Sequence, residues 1–192
     1  MRTDVRYAGQ GFVVDLIKES PKLEVLMQGE TLVSVSPSES LFGYTYHSYM
    51  IPPFNPQSTL ILGYGNGQVA DLINRVHGQA KITGVDLVPQ EYKRIEYKME
   101  IKDAYEYVKS CTNLPIKTRF DYIAIDLFDG ERVPDFVFDT EFVVRLKEMS
   151  KKLICVNALA EDFNRMKPYH EYGFKFHRAV NIFGNIVTWW GI

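Results

Sequence analysis

Hydrophobic positions near the N-terminus follow the short, alternating pattern of β-strands. Three such runs cover residues 11–18, 23–27 and 31–36. The second and third runs flank Gln28-Gly29-Glu30, and this break predicts a hairpin turn because glycine tolerates positive φ. A Ser-Pro-Ser sequence at 36–38 then predicts the start of a helix, which leads into an aromatic stretch up to Met50.

A change of pattern divides the chain into two predicted regions. Three prolines within 51–56 fix φ and remove amide donors, so this segment is predicted to be a connector. Residues 1–50 are therefore expected to form a short β region with an aromatic helix. Residues 51–192 are expected to form a second, larger unit.

From Ser58 onward, short apolar runs alternate with segments of helical period. The predicted strands are 60–62, 81–85, 95–100, 122–127, 153–156, 174–180 and 186–190. The predicted helices are 69–76, 103–110, 141–149 and 161–172. This alternation predicts an α/β fold with a mainly parallel sheet covered by helices on both faces, and its last two strands are expected to pair antiparallel.

One connection conflicts with this pattern. Asp86 closes the second strand, and only about six residues separate it from the next predicted strand, whereas a parallel crossover needs roughly a dozen. Either the intervening helix is reduced to a turn, or the assignment of this strand is wrong.

A glycine-rich loop follows the first apolar strand and precedes a helix. Gly63, Gly65 and Gly67 lack Cβ atoms, so a ligand can approach the backbone and the free amides of the helix N-terminus. Asp86 follows about 20 residues later at the end of the next strand, where an acid can bind ribose hydroxyls. Gln68 follows Gly67, so the loop lacks the Gly-Lys-Ser/Thr of a phosphate-binding loop. Gln68 also stands where the dinucleotide pattern Gly-x-Gly-x-x-Gly has its third glycine. It fits nucleoside-sulfonium ligands better, and the alternative is a tight turn without a ligand.

Acidic residues also follow other strands. Asp126 ends the most apolar strand, and Asp126 with Asp129 could hold a cation and accept its proton. Asp129 has an alternative explanation, because Asp129-Gly130 is typical of an ordinary turn. Asp103-Ala104 begins a predicted helix, where the aspartate either accepts a hydrogen bond from an adenine or caps the helix.

Composition narrows the functional classes. The chain has 192 residues, a net charge of -2 and 46% hydrophobic residues, which favours a globular protein and disfavours nucleic-acid binding. We expect no signal peptide and no membrane partner, because the start is polar and 18 apolar residues never run together. Cys111 and Cys155 are the two cysteines, far apart, so we expect no cysteine-based metal site and a cytoplasmic location.

In combination these segments resemble the spermidine synthase (polyamine aminopropyltransferase) family, within the Rossmann-like class I S-adenosylmethionine-dependent methyltransferase fold. The resemblance covers roughly residues 23–155. Its matching segments are Tyr46-His47 with Met50, the glycine loop 60–67, Asp86, Asp103-Ala104, Asp126 with Asp129, and 137–142.

The resemblance implies a nucleoside-sulfonium donor, an amine acceptor, no metal and a homodimer. It assigns Asp126 as the base and Tyr46 as the residue that orients the nucleophile, while Asp129 holds a distal ammonium and His47 contacts substrate. The donor would lie against the glycine loop, Asp86 and Asp103-Ala104. His47 and Tyr46 also fit a simple packing role on the sheet.

Departures from the family pattern leave the donor open. The family's glycine loop has an aspartate where this chain has Asn66, and this neutral residue favours ordinary S-adenosylmethionine over its decarboxylated form. Gly130 replaces a proline, and Ser48 replaces a glutamate. Three functions therefore remain: aminopropyl transfer to a polyamine, methyl transfer, and non-catalytic nucleoside binding.

Overall fold

The computed structural model describes residues 5–6, 13–14, 23–28, 31–37, 46–78, 81–88, 97–111, 115, 118–182 and 184–192. The N-terminal part contains two antiparallel pairs. Strand β1 (Val5–Arg6) pairs with β2 (Val13–Val14), and β3 (Leu23–Gln28) pairs with β4 (Thr31–Pro37). The predicted hairpin is thus confirmed, although Gly29 and Glu30 lie outside the described residues. Most of the predicted strand 11–18 also lies outside them.

A sheet of seven strands forms the centre of the fold. Its strands are β5 (Ser58–Leu62), β6 (Lys81–Asp86), β7 (Lys98–Ile101), β8 (Phe120–Ile125), β9 (Ser150–Leu159), β10 (Lys175–Ile182) and β11 (Asn185–Gly191). Their order is β10-β11-β9-β8-β5-β6-β7. Strands β5 to β9 run parallel to one another, and β11 runs antiparallel to both of its neighbours, β9 and β10. The chain order reverses at β5, which has β6 on one side and β8 on the other.

Helices cover both faces of this sheet. They are α1 (Gln68–His77), α2 (Ala104–Ser110), α3 (Thr140–Met149), α4 (Lys167–Glu171) and the 3₁₀ helices Tyr46–Met50, Asp135–Phe138 and Ala160–Met166. One apolar cluster joins α2 and α3 to one face, with Val108 and Leu146 buried. A second cluster joins α1 and the first 3₁₀ helix to the other face, with Ile73 and Met50 buried. The predicted α/β architecture is confirmed.

Several local predictions need correction. Ser36 and Pro37 do not start a helix but end β4, paired with Glu24 and Leu23. The predicted helix 161–172 is a 3₁₀ helix followed by α4, because Pro168 lies in the first turn of α4 and has no amide to continue the preceding helix. Val76 has the helical spacing of the buried Val69, Leu72 and Ile73, but it lies in the last turn of α1 and is 49% exposed.

The connection after Asp86 is longer than the alternating pattern predicts. Strand β7 begins at Lys98 and pairs in parallel with β6, so the connection spans residues 87–97 and is close to the usual crossover length. Residues 89–96 lie outside the described part. No helix within the described ranges is long and apolar enough to cross a membrane.

Candidate functional site

The glycine loop lies between β5 and α1, at the carboxyl edge of the sheet. The Gly63 amide donates to the Val85 carbonyl at 2.9 Å, which ties the loop to β6. Gly63, Gly65 and Gly67 have φ values of +81°, +52° and +79°, a conformation that favours glycine. A Cβ atom on Gly63 would lie 2.1 Å from the Asp126 carbonyl oxygen. The loop therefore requires glycine at this position, where it contacts the end of β8.

Asp86 is held against the glycine loop. Its Oδ2 accepts a 2.8 Å hydrogen bond from the Gly65 amide, and its Oδ1 accepts a 3.1 Å bond from the Val88 amide. The acid and the loop therefore lie together, and their contact with a donor stays a prediction. Leu87 and Val88, which follow directly, are 65% and 47% exposed. The edge thus presents a carboxylate beside exposed apolar side chains.

Asp103 caps α2. Its side chain accepts a 3.0 Å hydrogen bond from the Glu106 amide, and Ala104 behind it is buried. The capping role is therefore present, and contact with an adenine stays a prediction. The Lys102 amide donates to the Asp86 carbonyl at 2.9 Å, so the start of α2 lies next to the Asp86 segment.

Asp126 lies directly beyond β8 and its side chain is only 10% exposed. The Tyr46 hydroxyl donates to Oδ2 at 3.2 Å, and the Asn157 side-chain amide donates to Oδ1 at 2.8 Å. Burial raises the pKa of Asp126 from its ordinary value of 3.8 to about 6, while these two hydrogen bonds oppose the rise and nearby Asp86 adds to it. A carboxyl group with a pKa near 6 can exchange a proton close to neutral pH.

His47 packs beside this carboxylate as a neutral group. Its ring stacks on Tyr46 with centroids 3.9 Å apart, and its Nε2 lies 3.9 Å from the Asp126 Oδ2. Burial lowers the pKa of His47 to about 3, so the short separation is not an ion pair at neutral pH. Nδ1 of His47 has no hydrogen-bond partner among the described residues.

Asp129 lies in a turn beyond β8. Its backbone pairs with Arg132 through hydrogen bonds of 2.8 and 3.2 Å, and Gly130 between them has a φ of +62°. The side chain of Asp129 is exposed. A turn therefore accounts for the sequence Asp129-Gly130, and the binding of an ammonium group by Asp129 stays a prediction. Asn66 lies in the glycine loop with only 6% of its surface exposed.

Asn157 is the site residue that sequence reasoning missed. It interrupts the apolar run of β9, is fully buried and contacts Asp126 directly. A polar residue within an apolar strand, near its carboxyl end, was the available signal. Among the described residues, no group of three or more His, Cys, Asp or Glu side chains is arranged to hold a metal ion.

The strand order, the glycine loop and the acid at the end of β6 are those of a Rossmann-like α/β fold, and the solved structures that share this fold include S-adenosylmethionine-dependent methyltransferases and spermidine synthases. A spermidine synthase in complex with the transition-state analogue AdoDATO matches with a TM-score of 0.61 at 16% identity, over 98% of this chain and 73% of that one. A putative S-adenosylmethionine-dependent methyltransferase from Streptococcus mutans matches with a TM-score of 0.58 at 10% identity, over 91% of this chain. Human methyltransferase-like protein 13, in complex with S-adenosylhomocysteine, has a TM-score of 0.58 at 16% identity, over 70% of this chain and 71% of that one.

This chain spans 57% of the length of the Streptococcus mutans protein. No protein-family model matches the sequence, and no curated protein matches it. The likeness therefore establishes the fold. The reaction and the substrates have to be inferred from the chemistry of the site.

Proposed function

We propose that the protein is a transferase that uses an S-adenosylmethionine-type sulfonium donor and transfers an aminopropyl group to a polyamine amine. The observation that carries this proposal is the Asp126 carboxylate, buried beside the glycine loop and hydrogen-bonded to the Tyr46 hydroxyl. An acid that only stabilised the fold would not need a pKa near neutrality at the ligand-binding edge of the sheet. The fold shared with spermidine synthase and methyltransferases supports the same donor class.

The residues at this edge fit a nucleoside donor. A Cβ at Gly65 would meet no atom of the described residues within 4 Å, so on their side the loop is open to a ligand. Asp86 offers carboxylate oxygens suited to ribose hydroxyls, and exposed Leu87 and Val88 offer apolar surface suited to a base. When bound, the donor supplies a carbon activated by its sulfonium leaving group.

The chain's own contribution is alignment and proton removal. An alkylamine has a pKa near 10.4 by comparison with lysine, so it arrives protonated. Asp126 accepts one of its protons, Tyr46 orients the nitrogen, and the new C–N bond forms as the C–S bond breaks and methylthioadenosine leaves. Asp129 holds a distal ammonium of the acceptor, and His47 lines the acceptor side as a neutral group.

Methyl transfer is the second candidate, and Asn66 favours it. An aspartate at this loop position would attract the amine end of a decarboxylated donor and repel the carboxylate of ordinary S-adenosylmethionine. Neutral Asn66 exerts neither force, so the ordinary donor is tolerated. A non-catalytic nucleoside-binding protein is the third candidate.

The test that separates these candidates combines donor binding with turnover. Thermal shifts are measured with S-adenosylmethionine, its decarboxylated form and methylthioadenosine, and turnover is then measured with a panel of diamines and polyamines. Methylthioadenosine formation from the decarboxylated donor supports aminopropyl transfer. S-adenosylhomocysteine formation supports methyl transfer, and donor binding without either product supports the binding protein.

Asn66→Asp is expected to shift donor preference toward the decarboxylated form, because the introduced charge attracts its amine end and repels the carboxylate of the ordinary donor. Calorimetry gives the ratio of the two dissociation constants in wild type and variant. An unchanged ratio would show that residue 66 does not contact this end of the donor.

Asp86→Ala is expected to weaken donor binding about 10- to 100-fold, because hydrogen bonds to a charged group contribute roughly 1.5–3 kcal/mol. Calorimetry measures the affinity, and a thermal melt confirms that the variant is folded. Glu148→Ala removes an exposed acid of α3 and serves as the control for net charge. Equal affinity of a folded Asp86→Ala protein and wild type would exclude Asp86 from the site.

A further inference from the structure

Strand register places Asn157 beside Asp126. Val156 of β9 pairs with Ile125 of β8, so the next residue on each strand lies at the same level of the sheet. Side chains alternate between the two faces: Val156 and Ile125 belong to one apolar cluster, and Cys155 and Ala124 belong to the other. Residues 126 and 157 therefore project on the face that carries the first 3₁₀ helix.

The amide of Asn157 has no evident packing purpose. The side chain is fully buried, and burying an amide costs free energy unless hydrogen bonds replace those made to water. Its Nδ2 donates to Asp126 at 2.8 Å, while its Oδ1 has no partner among the described residues. An apolar side chain would suit the strand better, so the contact with the carboxylate is what this amide provides.

We propose that Asn157 is a positioning residue that fixes the Asp126 carboxylate and favours its ionised form. The amide occupies Oδ1, which leaves Oδ2 for the Tyr46 hydroxyl and the reacting amine. This inference rests on the proposed function for its catalytic consequence. Its effect on the carboxyl group itself is independent of which acceptor or donor the protein uses.

The titratable groups that face or influence Asp126 come from several elements of the fold. They are Tyr46 and His47 of the 3₁₀ helix, Asp86 of β6, Tyr122 of β8 and Cys155 of β9. His47 is neutral, and burial raises the pKa values of Tyr122 and Cys155, so these three groups carry no charge near neutral pH. The hydrogen bonds from Asn157 and Tyr46 are thus the contacts that lower the pKa of Asp126 against burial.

The first experiment measures the titration of the Asp126 carboxyl carbon directly, by NMR of protein labelled at aspartate, with Asp126→Asn to assign the signal. In Asn157→Leu the midpoint is expected to rise by about one pH unit, because a hydrogen bond to the charged form is lost. Asn157→Ser, whose side chain is too short to reach the carboxylate, provides the same test if the leucine variant does not fold. Thr59→Val is the control, since it removes a fully buried hydroxyl from β5 without touching the site.

The second experiment compares pH–rate profiles. For Asn157→Leu, kcat/KM is expected to fall about fivefold more at pH 6 than at pH 9, as follows from a one-unit rise in the pKa of the base. Asn157→Gln, which keeps the amide, is expected to restore part of the loss at pH 6. In Thr59→Val, the pH at which kcat/KM rises on the acidic side of the profile should be the same as in wild type.

The two readouts distinguish the inference from the function it rests on. An Asp126 midpoint that is equal in wild type and the Asn157 variants overturns the positioning role, whatever the activity. A raised midpoint supports it even if no acceptor is turned over, in which case the transferase proposal alone fails. Loss of stability without a shift of the midpoint would mean that Asn157 has only a packing role.

Discussion

Asp126→Asn is expected to reduce turnover by roughly a hundredfold to ten-thousandfold, the usual effect of removing a general base. The substitution keeps the shape of the side chain and its place beside Tyr46 and Asn157. It removes the proton acceptor and leaves Asp86 and the glycine loop, so donor affinity should change far less than turnover. The measurement is kcat with the acceptor panel, alongside calorimetric donor binding.

Asp121→Asn is the matched control for this variant. Asp121 is a buried aspartate near the start of β8, at the opposite end from Asp126, where it accepts a 2.8 Å hydrogen bond from the backbone amide of Gln57 and lies 3.6 Å from the Lys151 ammonium. It is expected to affect stability without a comparable loss of turnover. Equal turnover in Asp126→Asn and wild type would refute the assignment of Asp126 as the base.

The raised pKa of Asp126 also determines two pH dependences of opposite sign. Catalysis needs the ionised form, so the rate should rise as pH increases through about 6 and then level off. Folding favours the protonated form, because the pKa in the folded protein lies above the ordinary value, so stability falls as pH rises from about 4 to about 6. Asp126→Asn has no carboxyl group to ionise here, so its free energy of unfolding should fall less than that of wild type between pH 4 and pH 7. Unfolding of both proteins in denaturant at the two pH values measures this difference.

Local sequence signals were sufficient to place Asp86 next to the glycine loop. Positive φ at Gly63 requires glycine, and an acid at the end of the next strand lies near the loop because parallel neighbours end at the same edge. The contact between the Gly65 amide and Asp86 follows from these two facts. The apolar runs also gave the strands and the two helical layers, because periodicity directly reflects which face is buried.

Contacts between distant segments were harder to predict. Tyr46 and Asp126 are 80 residues apart, and the family resemblance, rather than any periodicity, suggested that they belong to one site. Asn157 was missed because its role depends on the register between β8 and β9, which sequence pattern does not give. Pro37 was misassigned because its place at the end of a paired strand is decided by the partner strand.

Gly63→Ala is expected to lower the free energy of unfolding by about 2–5 kcal/mol. Part of this, about 1–2 kcal/mol, is the strain of an L residue at positive φ. The rest, about 1–3 kcal/mol, comes from overpacking, because the new methyl group would overlap the Asp126 backbone, with its carbon 2.1 Å from the carbonyl oxygen and 2.6 Å from the carbonyl carbon. Backbone atoms held by two paired strands cannot move aside as a flexible side chain can.

Gly130→Ala separates the two contributions. Gly130 has a φ of +62°, and a Cβ there would meet no atom within 4 Å in the part of the chain that the structure describes, so its replacement measures backbone strain. In chemical denaturation, the free energy of unfolding of Gly130→Ala should be about 1–2 kcal/mol lower than that of wild type.

A folded Gly63→Ala protein should also bind the donor weakly, because relief of the overlap must displace either the glycine loop or the end of β8. Equal losses of stability in the two variants, with donor affinity retained in Gly63→Ala, would contradict the close packing of the loop against Asp126 and with it the geometry on which the proposed site depends.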